Sequence, residues 1–215
     1  MKLFLVRHAE GENVGERWQS PETHLSEKGK KQAEVLGKLP RFKVVDKIIS
    51  SNWIRTVETA GIAAENLNKQ VEMVNGIEER YQSSKVYGLS RNEDLSRQYL
   101  KEAQQNGNNW DWKWDLEEES FTEMVKRSVE FRDYLINNYL QKNLLIFSHE
   151  GFIRLFISTC LFGENSQADH YRRFFRSLVI EPTGISLLIY REEAKVWKLW
   201  YLNDYSHLGF VNSLK

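Results

Sequence analysis

Apolar residues come along this chain in short runs, separated by polar stretches long enough to hold helices. Residues 3–6 (LFLV) form one such run, followed at once by Arg7, His8 and a polar, glycine-containing stretch. A short continuous apolar run suits a strand buried on both faces, as in a parallel sheet. Ser26 then precedes a helical pattern carrying Ala33, Leu36 and Leu39, which Pro40 stops. Val44, Val45, Ile48 and Ile49 read as a second strand, and Ser50-Ser51-Asn52 offers caps for a helix over about 53–67. A third strand is expected over 71–74. From about 80 to 119 the chain turns polar and charged, which predicts an insertion with its own helix near 92–105. Ser120-Phe-Thr-Glu123 is a capping-box pattern that predicts a helix to about Tyr139. The run 144–147 predicts a strand, residues 152–161 a helix, and 185–190 with 196–202 a hairpin around the charged turn 191–195. Strands alternating with helices predict a three-layer α/β/α domain with a mostly parallel sheet. The reading is one domain over 1–215, its polar insertion lying over the C-terminal edge of the strands.

Composition narrows the function. Thirty Lys and Arg balance thirty Asp and Glu, which argues against a dedicated nucleic-acid binder. An apolar fraction of 41% supports a real core. Large apolar runs stop at four residues, so no membrane span is expected, and Arg7 follows the first run too closely for a signal peptide. The single cysteine, Cys160, cannot form an internal disulfide. A cytoplasmic protein is the expectation.

Candidate chemistry collects where three predicted strands end. In open α/β sheets, ligands bind beyond the carboxyl ends of the strands. The first strand delivers Arg7-His8, the second leads through Ser51 to Arg55, and the fourth delivers Ser148-His149. Two arginines and two histidines at one edge make a cationic pocket in a neutral chain. Guanidinium forks match phosphoryl oxygens, so a phosphoryl group is the natural ligand. Two histidines could also ligate zinc, but the adjacent arginines would repel the cation, so no metal is expected.

These residues resemble the histidine phosphatase superfamily, in its phosphoglycerate-mutase-like branch. Leu5-Val6-Arg7-His8-Ala9-Glu10 is similar to the family's Arg-His-Gly signature, and Leu25-Ser-Glu-Lys-Gly29-Lys-Lys-Gln32-Ala33 to its helix entry. Ser50-Ser51-Asn-Trp-Ile-Arg55-Thr56-Val-Glu-Thr59-Ala60 resembles the second-arginine motif. Ile77-Glu78-Glu79, Glu119-Ser120 and Ser148-His149-Glu150-Gly151-Phe-Ile153-Arg154 complete the set in order. The resemblance implies that His8 is the nucleophile, forming a phosphohistidine that water hydrolyses. It implies that Arg7, Arg55 and His149 hold the phosphoryl oxygens, and that Glu79 protonates the leaving oxygen and later takes a proton from water. Neighbouring arginines disfavour further positive charge and so keep His8 neutral. No metal or other cofactor is then needed.

Three departures stand out. Ala9 replaces the usual Gly. Val14 holds the place of the family's Asn, leaving Asn13 as the candidate phosphoryl contact. Glu150 replaces the first Gly of the second-histidine motif and puts a carboxylate beside the substrate, pointing away from His149 or tuning it. Trp110, Trp112 and Trp114 alternate, which in an extended segment puts all three on one face for packing the insertion onto the body. His207 reads as structural, and His24 and His170 as surface residues. The expected function is a phosphatase for a small phosphorylated metabolite. Its alternatives are a cofactor-dependent phosphoglycerate mutase and a catalytically silent binding module. The mutase's Glu-Arg-His-Tyr-Gly stretch has no counterpart, because the chain reads Glu79-Arg80-Tyr81-Gln82.

Overall fold

Alternation along the buried strands decides the layering. In β1 (Lys2–Arg7), Leu3 and Leu5 enter one core while Phe4 and Val6 enter another. In β4 (Asn143–Ser148), Leu144 and Ile146 join the first core, and Leu145 and Phe147 the second. Successive side chains of a strand point to opposite faces, so these strands are apolar on both sides and need cover on both. Each such side chain contributes roughly 1.5–3 kcal/mol by burial.

The cover comes from helices. On one face, α1 (Glu27–Gly37) and α2 (Ile54–Leu67) supply Leu36, Ala60 and Ala63. On the other, α4 (Phe121–Tyr139) and α5 (Glu150–Phe162) supply Met124, Phe131, Phe152 and Phe156, and α6 (Ala168–Ser177) packs beside α5. The helix α3 (Asp94–Gln105) lies in the polar stretch between α2 and α4. This computed structural model describes residues 1–163 and 168–209.

The remaining strands are β2 (Lys47–Ser50), β3 (Val71–Met73), β5 (Ile185–Arg191) and β6 (Val196–Asp204). The sheet order is β3-β2-β4-β1-β5-β6; the first four run parallel, and β5 and β6 form an antiparallel hairpin. The predicted elements therefore appear, with shifted ends. The second strand starts at Lys47, because Pro40–Val44 forms a 3-10 turn that leaves Val44 exposed. Neither Ser50 nor Ser51 caps α2; the N-cap is Trp53, and those hydroxyls bond elsewhere. The capping box of α4 forms as read, both Ser120 and Glu123 reaching back across the first turn. α6 carries no counterpart in the sequence reading.

The polar stretch after α3 departs from one expectation. Residues 106–119 run through turns rather than an extended strand, so the three tryptophans do not share a face. Trp112 and Trp114 pack with Trp18, Val86 and Tyr99, whereas Trp110 packs edge-on against Phe121 and joins the core beneath α4. His24 pairs with Glu58 at the surface, His170 is exposed, and the His207 ring bonds Thr183.

Candidate active site

Parallel register brings the two histidines side by side. Arg7 on β1 is the Cα partner of Ser148 on β4, so His8 and His149 leave the same edge one residue later. The His8 N–H bonds the Ser148 carbonyl at 2.9 Å, and the two ring centroids lie 5.1 Å apart. Arg55 reaches them from the first turn of α2.

The Arg55 guanidinium fixes both tautomers. It can only donate, so each ring nitrogen facing it must carry a lone pair. Arg55 Nε donates to His8 Nε2 at 3.0 Å, and Nη2 faces His149 Nδ1 at 3.3 Å. The His8 proton therefore sits on Nδ1, donated to the Ala9 carbonyl at 2.7 Å. The His149 proton sits on Nε2, donated to Ser51 Oγ at 2.7 Å. Burial, then Arg55 and Arg7, hold the His8 pKa well below 6.5. The same is true of His149, where burial and Arg55 are the leading causes. Burial also lowers the Arg55 pKa to about 10, opposed by Glu79, which leaves it charged at neutral pH.

Arg7, His8, Arg55, Glu79 and Glu150 line one cavity of about 360 Å³. Arg7 donates Nη1 to the Ile180 carbonyl at 2.6 Å and pairs with Glu150 at 2.9 Å, while its buried Nε–H has no protein partner. Glu150 ion-pairs with Arg7 and with Arg154 one helical turn on, and not with His149.

Glu79 accepts hydrogen bonds from the Gly151 and Arg80 N–H groups, both at 3.0 Å. Its approach depends on Gly151, where a Cβ would overlap the Glu79 carboxylate. Glu78 turns the other way, buried and bonded to the Gly76 N–H at 2.7 Å. The loop carrying both is clamped by Arg127, which donates to the Gly76 and Glu78 carbonyls at 3.1 and 2.8 Å. Arg127 is in turn forked by Glu119 at 2.6 and 2.8 Å. Glu119 thus serves this ion pair.

Two expected phosphoryl contacts sit elsewhere. Asn13 is exposed and off the cavity wall; its carbonyl accepts from the Glu16 and Arg17 N–H groups, and its φ of 54° suits a turn. Val14 and Gly15 line the wall instead. His149 is fully buried behind Arg55 and contributes no atom to the lining. Conversely, Arg17, Arg80, Arg91 and Arg154 line the cavity without having been singled out in the sequence. Helical spacing from Glu150 gives a signal for Arg154. Arg17 and Arg91 have none, because a long-range pairing brings them together. Among the described residues, no group of three or more His, Cys, Asp or Glu could hold a metal ion.

Residues 3–203 match the sequence profile of the histidine phosphatase superfamily (branch 1). The adenosylcobalamin/alpha-ribazole phosphatase of Salmonella typhimurium is 28% identical over 174 residues, covering 80% of this chain and 85% of the relative. A protein of Erwinia tasmaniensis described as probable phosphoglycerate mutase GpmB is 27% identical, covering 97% and 95%. Among solved structures, the phosphoserine phosphatase of Entamoeba histolytica superposes with a TM-score of 0.76 at 22% identity, covering 96% of this chain and 98% of that one. At that identity the likeness is one of fold.

Proposed function

This chain belongs to the histidine phosphatase superfamily (branch 1), and from that membership we propose a phosphatase that hydrolyses a small phosphorylated metabolite through His8. The observation that carries this reading is the His8 tautomer: a neutral imidazole whose Nε2 lone pair faces the Arg55 guanidinium at an arginine-lined cavity. A phosphoryl group entering the cavity takes the Arg55 and Arg7 donors onto its oxygens, which frees Nε2 to attack. The N–P bond forms as the ester P–O bond breaks, and Glu79 gives its proton to the leaving oxygen. Water then attacks phosphorus, Glu79 takes the water's proton, and the N–P bond breaks to release inorganic phosphate and neutral His8. His149 stands behind Arg55 and acts on the phosphoryl group through it, its Nδ1 lone pair facing Arg55 Nη2 at 3.3 Å. Arginines supply the positive charge that a metal would otherwise bring.

The test is to trap label from a radiolabelled phosphoryl donor in the presence of EDTA. Label should reside on His8, stable to alkali and lost in acid, as a phosphoramidate is. Label retained by His8→Ala overturns the nucleophile, and turnover lost to EDTA and restored by a metal overturns the mechanism. Similarity to the probable phosphoglycerate mutase along nearly the whole chain supports a second reading, phosphoryl return to the product. A bisphosphoglycerate-primed mutase assay run alongside separates the two. Zero net charge and a single, buried cysteine support a cytoplasmic enzyme with no nucleic-acid partner.

A further inference from the structure

The cavity carries more positive charge than one phosphoryl group needs. Arg7 and Arg55 face His8 and suffice for the transferred group. Arg80 is compensated by Glu118 at 3.2 Å, and Arg154 shares the Glu150 carboxylate with Arg7. Arg17 and Arg91 remain: both line the cavity, and among the described residues neither has an ion pair.

These two are held in place. The segments that carry them are bridged at Arg17 and Ser90. Trp18 N–H bonds the Leu89 carbonyl at 3.0 Å, Gly88 N–H the Trp18 carbonyl at 2.9 Å, and Arg91 N–H the Glu16 carbonyl at 3.0 Å. Arg91 stacks its guanidinium carbon 3.3 Å from the centre of the Trp18 ring, and that indole is buried, edge-on to Tyr99 and bonded to Ser96 Oγ at 3.2 Å. Arg17 is tied by Nη1 to the Gly88 carbonyl at 2.6 Å. Fixed guanidinium forks lose less freedom on binding a carboxylate or phosphate than mobile surface arginines do.

Building on the phosphatase reading, we propose that Arg17 and Arg91 form a second anion subsite, and that the preferred substrates are phosphomonoesters whose alcohol portion carries another anionic group, a carboxylate or a second phosphate. The phosphoryl dianion occupies Arg7 and Arg55, and the second anion occupies Arg17 and Arg91. The pair sets specificity and takes no part in the transfer itself.

The test compares kcat/KM within matched series of two-carbon and four-carbon phosphomonoesters ending in a carboxylate, a phosphate or a neutral hydroxyl. The wild type should favour an anionic ending over the hydroxyl by on the order of tenfold or more. The carboxylate and phosphate arms identify which anion is taken. That preference ratio should fall toward one in Arg17→Gln/Arg91→Gln and be largely kept in Arg17→Lys/Arg91→Lys. A merely structural role for the pair would lower all three endings together and leave the ratio unchanged. An unchanged ratio in the Gln variant, or no preference in the wild type, overturns the subsite while leaving the phosphatase reading intact. Failure of the wild type to hydrolyse any of the esters, or nitrophenyl phosphate, overturns both.

Discussion

Glu78 and Glu79 are adjacent in sequence and separated in role by the direction each side chain takes. Glu79 faces the cavity and Glu78 turns back to Gly76. Glu79→Gln should slow esters with poor leaving groups on the order of 100-fold or more, and nitrophenyl phosphate far less, because nitrophenolate needs little protonation. Glu78→Gln keeps an acceptor for the Gly76 N–H and should change neither rate much. A larger, leaving-group-dependent loss in Glu78→Gln would move the acid by one residue. Glu150 poses a different question, since its carboxylate occupies Arg7 where a phosphoryl oxygen would bind. Glu150→Gln should tighten inhibition by inorganic phosphate roughly tenfold, because the charge it removes repels the dianion. Weaker phosphate inhibition in that variant would mean that Glu150 orders Arg7 and does not compete for it.

At the scale of elements, the first turn of α5 does two jobs. Its Gly151 N–H holds the Glu79 carboxylate, and its lack of a side chain leaves room for that carboxylate. Gly151→Ala should therefore displace Glu79 and reproduce the leaving-group dependence of Glu79→Gln. Alanine is the better helix former by about 0.5–1 kcal/mol, so thermal stability should hold or rise while activity falls. Wild-type rates on poor leaving groups in that variant would show that Glu79 tolerates the move. A similar close approach explains Gly29 in α1, where a Cβ would overlap the Glu10 carbonyl of the loop after His8.

For the whole molecule, neutrality of the two buried histidines ties stability to pH. Both have folded pKa values well below 6.5, so between their folded and unfolded values the unfolded chain binds more protons. Their contribution is fully present above about pH 6.5 and is lost as pH falls below it, at up to about 1.4 kcal/mol per pH unit for each group. Urea midpoints should accordingly drop between about pH 7 and pH 5.5, and His8→Asn should flatten that slope. A slope unchanged in His8→Asn would show that His8 does not stay neutral in the folded state.

Much of this was legible along the chain because it depends on local pattern. Short apolar runs marked β1 and β4, Ser120 and Glu123 marked the start of α4, and the order of the motifs placed Arg7, His8, Arg55, Glu79 and His149 at strand ends or in the turns beyond them. Tertiary structure decided what local pattern does not encode. Whether Asn13 faces the cavity depends on a turn, and whether His149 lines it depends on where Arg55 lies. Glu150 found its partners across β1 and along α5, and Arg17 and Arg91 line one cavity only because residues some seventy apart in the chain pair there. Periodicity reports which side of an element is buried, whereas contacts between distant segments follow from how the elements pack, and those contacts give the cavity its charge.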